Sequence, residues 1–146
     1  MIDLIGTNPI FASSIRLVIA QRLVRKLADS KKSRPATKAE AQYINEVLQG
    51  VPADKLPEGV DLQNPTLYDP VVTEENPFGY AGRVVIMEQL VISDEIAAFL
   101  RGDVKDINTK AIEDAAKQNG MLTLEQKGII ACLRGDTTLT EISRVI

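Results

Sequence analysis

A chain of 146 residues with 45% hydrophobic content can bury a core of its own, so one globular domain with room for a small subdomain is expected. Histidine is absent and cysteine occurs once, at Cys132, which excludes Cys/His zinc fingers, Ser-His-Asp and Cys-His nucleophilic chemistry, and any disulfide within the chain. The net charge of −3 is unevenly spread: residues 22–38 hold Arg22, Arg25, Lys26, Lys31, Lys32, Arg34 and Lys38 against the single acid Asp29. Such a segment suits phosphates, anionic headgroups or an acidic partner face, and equally suits a solvated helix end.

With few aromatic residues and no tryptophan, Leu, Ile, Val and Ala must fill the core, which favours packed helices. Asn8-Pro9 offers an N-cap followed by proline at the first helical position, and Ile15, Val18, Ile19, Leu23 and Leu27 recur three to five residues apart, which predicts a helix over residues 9–28. Thr37-Lys38-Ala39-Glu40 is a capping box; Ile44, Val47 and Leu48 form one apolar face, and Gly50 can close this short second helix in a left-handed conformation. No apolar stretch is long enough to span a bilayer, and Met1-Ile2-Asp3 lacks the basic start of a signal peptide, so a cytosolic chain is expected.

Prolines 52, 57, 65, 70 and 77 then break regular structure, and residues 51–78 read as a long surface excursion. Tyr80 to Val91 has β-branched, strand-like character and is expected to pair with Leu67–Val72 in a small antiparallel ribbon. The last third reads as four short helices. Ser93 caps the first and Gly102 ends it; Asn108 or Thr109 opens the second and Gly120 closes it. Thr123-Leu124-Glu125-Gln126 boxes the third, which ends at Gly135, and Thr138 starts the fourth. Tight turns between them predict one compact multi-helix bundle. The expected fold is mostly α with a small antiparallel β-ribbon, an α+β chain divided into a helical segment over 1–50, the proline-rich excursion and ribbon over 51–91, and a four-helix subdomain over 92–146. Cys132, in the apolar run from Gly128 to Leu133, is expected as a core thiol.

Gly79-Tyr80-Ala81-Gly82-Arg83, followed by the strand from Val84, resembles the Gly-Tyr-x-Gly-Arg element of the type II secretion and type IV pilus assembly ATPases. Gln118 through Leu124, Gly128, and Leu133-Arg134-Gly135-Asp136-Thr137-Thr138-Leu139-Thr140-Glu141-Ile142 are similar to the end of that family. Asn8 through Ser14 and Ile19 through Arg25 are similar to its segment just after the catalytic core. The resemblance implies the C-terminal region of a RecA-like ATPase, usually a hexamer, that drives pilus or pseudopilus assembly at the cytoplasmic face of the inner membrane. The rest of the ATPase, neighbouring subunits and an inner-membrane platform protein are the implied partners, and ATP with Mg²⁺ is the implied cofactor of the parent.

No Gly-x-x-x-x-Gly-Lys-Ser/Thr run is present to cradle phosphates, and no acidic pair follows an apolar strand, so this chain alone is expected to be no enzyme: an excised domain or a truncated relative, with no catalytic residues. Many members of the family hold zinc through two Cys-x-x-Cys pairs; the matching positions here are Ala28 and Lys31, then Val72 and Glu75, so no zinc is expected. Glu74-Glu75 reads as solvated loop charge. The resemblance puts Gln21, Arg22 and Arg25 near the nucleotide or a subunit boundary; the alternative is that Arg22 and Arg25 pair with acids of the same domain. Gly79, Tyr80, Gly82 and Arg83 read as structural, the glycines supplying permissive backbone and Arg83 anchoring the ribbon to a helix end. The competing reading is a helix-turn-helix DNA-binding regulator built from residues 108–145. Charge opposes it, since residues 50–146 hold sixteen acidic and nine basic side chains, and no nucleic-acid partner is expected.

Overall fold

The computed structural model describes residues 14–101, 103 and 109–146. Their regular elements, in chain order, are β1 (Leu17–Leu27), β2 (Lys32–Pro35), α1 (Lys38–Val47), a single 3-10 turn (Ala53–Lys55), β3 (Thr66–Asp69), β4 (Tyr80–Val91), α2 (Asp94–Arg101), α3 (Thr109–Gln118), α4 (Leu124–Arg134) and α5 (Leu139–Val145). The fold is therefore α+β, with five helices and two small sheets, β1 with β4 and β2 with β3, among the described residues. No helix among these residues is long and apolar enough to cross a membrane.

Two of the expectations give way. Residues 17–27 form a strand where a helix over 9–28 was predicted, and Asn8-Pro9 lies outside the described residues. The apolar positions that fit a helical face also fit alternate faces of a strand. The β-branched Val18, Ile19 and Val24 lose rotamer freedom in a helix, and pairing with β4 decides the outcome. The second correction follows from the first. Tyr80–Val91 is indeed a strand, but its partner is β1, and Thr66–Asp69 pairs antiparallel with β2 instead, setting Lys32 opposite Asp69 and Arg34 opposite Leu67.

Contacts divide the chain into two compact units. The described residues up to Ala20, with those between Glu88 and Leu122, make the first; Gln21–Met87 with Thr123–Ile146 make the second. The division cuts β1 after Ala20 and β4 after Met87. In the first unit α2 packs against α3 over Ile96, Ala115 and Ala116, all buried, with Phe99, Leu100, Ile112 and Met121 closing around them. Ser93 Oγ accepts the Ile96 N–H at 3.3 Å and Asp94 and Glu95 sit in the first turn, as an N-terminus prefers. The predicted caps at Gly102 and Asn108 lie outside the described residues.

In the second unit α4 packs against α1, β3 and α5. Both of the predicted capping boxes form, Thr37 with Glu40 on α1 and Thr123 with Gln126 on α4. Ile44, Ile129 and Ile142 are almost wholly buried, and each such side chain stabilises by roughly 1.5–3 kcal/mol. All four helices predicted for the last third exist; α2 packs against α3 in the first unit and α4 against α5 in the second.

Candidate functional site

Residues 21–25, 79–87 and 123–142, which belong to the three sequence blocks that carry the family resemblance, lie in the second unit, and the α4–α5 link brings side chains from each together. Gly135 ends α4 in the left-handed conformation (φ 75°), and a Cβ on it would lie 2.9 Å from the Tyr68 ring, so only glycine fits. Gly128 removes the side chain that would strike Ile142, which lets α4 and α5 approach closely. Thr138 caps α5 by accepting the Glu141 N–H at 3.3 Å.

The link binds the end of β1 through both backbone and side chains. Leu27 N–H donates to Asp136 O at 2.9 Å, and Thr137 Oγ1 donates to Arg25 O at 2.9 Å. Arg25 donates twice to Glu141, from its backbone N–H to Oε2 at 3.2 Å and from its guanidinium to Oε1 at 2.6 Å. Arg144 reaches the same carboxylate at 3.0 and 3.3 Å. Arg25 also lies over the Tyr80 ring at 4.3 Å, and the Tyr80 hydroxyl shares a 3.2 Å hydrogen bond with Thr138 Oγ1. The Glu141 side chain is 1% exposed, whereas that of Arg25 is 47% exposed: the clasp is a buried carboxylate gripped from the surface by two arginines. The Arg25 guanidinium, helped by Arg144 and opposed by burial, holds the Glu141 carboxyl down at about 2, and Glu141 raises Arg25 above the ordinary arginine value.

Of the residues singled out in the sequence, Arg25 and Tyr80 enter this clasp. Gln21 and Arg22 lie exposed on β1, with Arg22 Nη1 donating to Gln21 O at 3.1 Å. Gly79 is required twice over: its φ is +72°, and a Cβ there would lie 2.6 Å from Pro70 Cβ and 2.8 Å from Val71 N. Gly82 shares the positive φ of +77° but faces open space. Arg83 is exposed on β4 and forms no ion pair with another described residue. Glu141 is the residue that sequence reasoning missed. It occupies the fourth position of Thr138-Leu139-Thr140-Glu141 and reads there as an ordinary helix-start acid, while its real partner lies 116 residues away.

Three of the seven cations of the basic segment find partners within the unit beyond an adjacent residue. Arg25 is held by Glu141; Arg34 reaches Glu40 at 2.6 Å and Asp69 at 3.1 Å; Lys31 donates to Gly135 O at 2.6 Å. The arrangement has little chemistry to offer. Buried side-chain nitrogen and oxygen atoms among the described residues all have partners, and a carboxylate held near 2 takes no proton at neutral pH. Cys132 is a buried core thiol, pushed up to about 12 by burial, and so makes no thiolate nucleophile. The described residues contain no group of three metal-ligating side chains, and Ala28, Lys31, Val72 and Glu75 do not fit a tetrathiolate zinc site. An open groove between α1 and α5, lined by Ala39, Tyr43, Leu139 and Ser143, carries no such group either.

Comparison with known proteins gives a consistent set of relatives. The family model described as "Type II/IV secretion system protein" matches residues 1–144. The chain is similar to type II secretion system protein E of Xanthomonas campestris, 33% identical over 99% of this chain and 24% of that protein. It is also similar to the type IV pilus assembly ATPase PilB of Pseudomonas aeruginosa, at 32% over 92% of this chain and 21% of that protein. PilB of Thermus thermophilus is 30% identical over 97% of this chain and 15% of its own length. The chain thus spans about a quarter or less of the length of these relatives.

Proposed function

The chain belongs to the type II/IV secretion system protein family, and from that premise we propose that it is a non-catalytic assembly and interaction domain, from the C-terminal part of a type II secretion or type IV pilus assembly ATPase. The observation that carries this reading is the Arg25–Glu141 clasp. It commits Arg25, Tyr80, Thr137, Thr138 and Glu141 from the resembling blocks to holding a unit together, and no activated acid, base or nucleophile remains among the described residues.

In this reading the nucleotide-hydrolysing machinery belongs to the remainder of a RecA-like, hexameric parent, which would bind ATP and Mg²⁺ through a phosphate-cradling loop that these 146 residues do not contain. Gln21 and Arg22, exposed on β1, are the side chains offered to a neighbouring subunit or the rest of the ATPase. An inner-membrane platform protein at the cytoplasmic face is the further partner. A helix-turn-helix role has no support. Residues 128–133 of α4 are buried, where a recognition helix must face a groove, and none of these relatives is named as a DNA-binding protein.

The test is a titration of this chain with a fluorescent ATP analogue, together with a phosphate-release assay in magnesium. The expected result is no saturable nucleotide binding and no turnover. Magnesium-dependent turnover at the rate of a motor ATPase would overturn the proposal.

A further inference from the structure

The positions where the family resemblance expects zinc are Ala28 and Lys31, then Val72 and Glu75, which together offer one carboxylate and no thiolate. Two closed turns stand there instead. In the first, Lys31 N–H donates to Ala28 O at 3.1 Å; in the second, Thr73 N–H donates to Asn76 O at 3.1 Å and Asn76 N–H to Thr73 Oγ1 at 3.0 Å. The first turn is tied outward at three points. Ala28 N–H donates to Gly79 O at 3.1 Å, Ser30 Oγ to Val71 O at 3.3 Å, and Lys31 Nζ to Gly135 O at 2.6 Å.

We propose that these ties are a metal-free staple that does the mechanical work of a zinc centre, with Lys31 as its anchor. A structural zinc stabilises by joining chain segments that are distant in sequence. The staple joins residues 28–31 to 71–79 and to 135 in the same way, through groups that need no metal. Lys31 suits the anchoring place on two counts. Gly135 O lies at the C-terminus of α4, where backbone carbonyls lack helical partners and the helix dipole attracts a cation. The Tyr68 ring, pressed against Gly135, presents its face to the same ammonium at 5.3 Å from the centroid. A cysteine at position 31 could make neither contact. The inference concerns the stability of this unit and stands whether or not the chain serves a motor.

The experiment uses the whole chain, exposed to zinc, dialysed, and then measured for bound metal and for Tm with and without a strong chelator. Zinc far below one per chain and an unchanged Tm are expected; stoichiometric zinc with a fall in Tm on chelation would sink the proposal. Lys31→Met keeps an unbranched apolar stem and deletes the ammonium. It should lower Tm by roughly 2–4 °C and speed hydrogen exchange at the Ala28 amide several-fold, while Lys32→Met, at the exposed neighbouring position, changes neither. If Lys31→Met leaves Ala28 exchange at its original rate, Lys31 is no anchor. Ser30→Ala, which deletes only the bond to Val71 O, reads the same amide should Lys31→Met fail to fold, and unchanged exchange in it overturns the staple equally.

Discussion

Glu141 keeps a full negative charge on a side chain that is 1% exposed, and it does so because two guanidinium groups and the Arg25 backbone N–H stand in for lost water. Such a charge is tolerated only while its partners remain. Glu141→Gln leaves both arginines facing a neutral amide and should cost roughly 2–3 kcal/mol, read as a lower urea midpoint at constant slope. Arg25→Met should destabilise more than Arg144→Met. The Arg25 guanidinium has the shorter contact, 2.6 Å against 3.0 Å, and also the Tyr80 ring beneath it. If Arg144→Met proves the costlier of the two, Arg144 and not Arg25 is the main grip on Glu141.

At the scale of elements, the start of β4 turns on two glycines that look alike in sequence and differ in their surroundings. Gly79 and Gly82 share a positive φ, but only at Gly79 would a Cβ press on backbone atoms, those of Pro70 and Val71. Gly82→Ala should therefore cost about 1 kcal/mol, the strain of the backbone alone, and Gly79→Ala clearly more, since Ala28 N–H depends on the Gly79 carbonyl for its hydrogen bond. Equal midpoints for the two variants would mean that the turn yields freely. The same contrast explains what the sequence made legible. The boxes at Thr37 and Thr123 could be read because both partners lie within four residues, and so could Cys132 and the strand from Tyr80. Strand pairing could not be read. β1 contains apolar residues on both of its faces, so its spacing fits a helix as well, and its true partner begins more than fifty residues later. The clasp was half legible: Arg25 and Tyr80 stood out by resemblance, while Glu141 gave no local signal of its distant role.

At the scale of the chain, two carboxylates among the described residues are held at about 2, Glu40 by Arg34 and Glu141 by Arg25; both belong to the second unit, and Asp61, also held below its ordinary value, lies there too. Above about 4.5 these glutamates are ionised folded or unfolded, and the ion pairs contribute in full. As the pH falls through 4.5 toward 2, the unfolded chain takes up protons that the folded chain refuses, so stability is lost across that window. The loss should be on the order of 3 kcal/mol for the two together, once solvent screening is allowed for. A convenient reporter follows from composition. The chain has no tryptophan, and its three tyrosines, Tyr43, Tyr68 and Tyr80, all lie in the second unit, so tyrosine emission follows that unit alone. Urea midpoints read by tyrosine emission should decline between pH 4.5 and 2, and Glu40→Gln with Glu141→Gln should start lower and flatten that decline. A double variant that keeps the full slope would place the acid sensitivity elsewhere, since replacing a titrating carboxyl by an amide that does not titrate removes its proton linkage whatever else the substitution does.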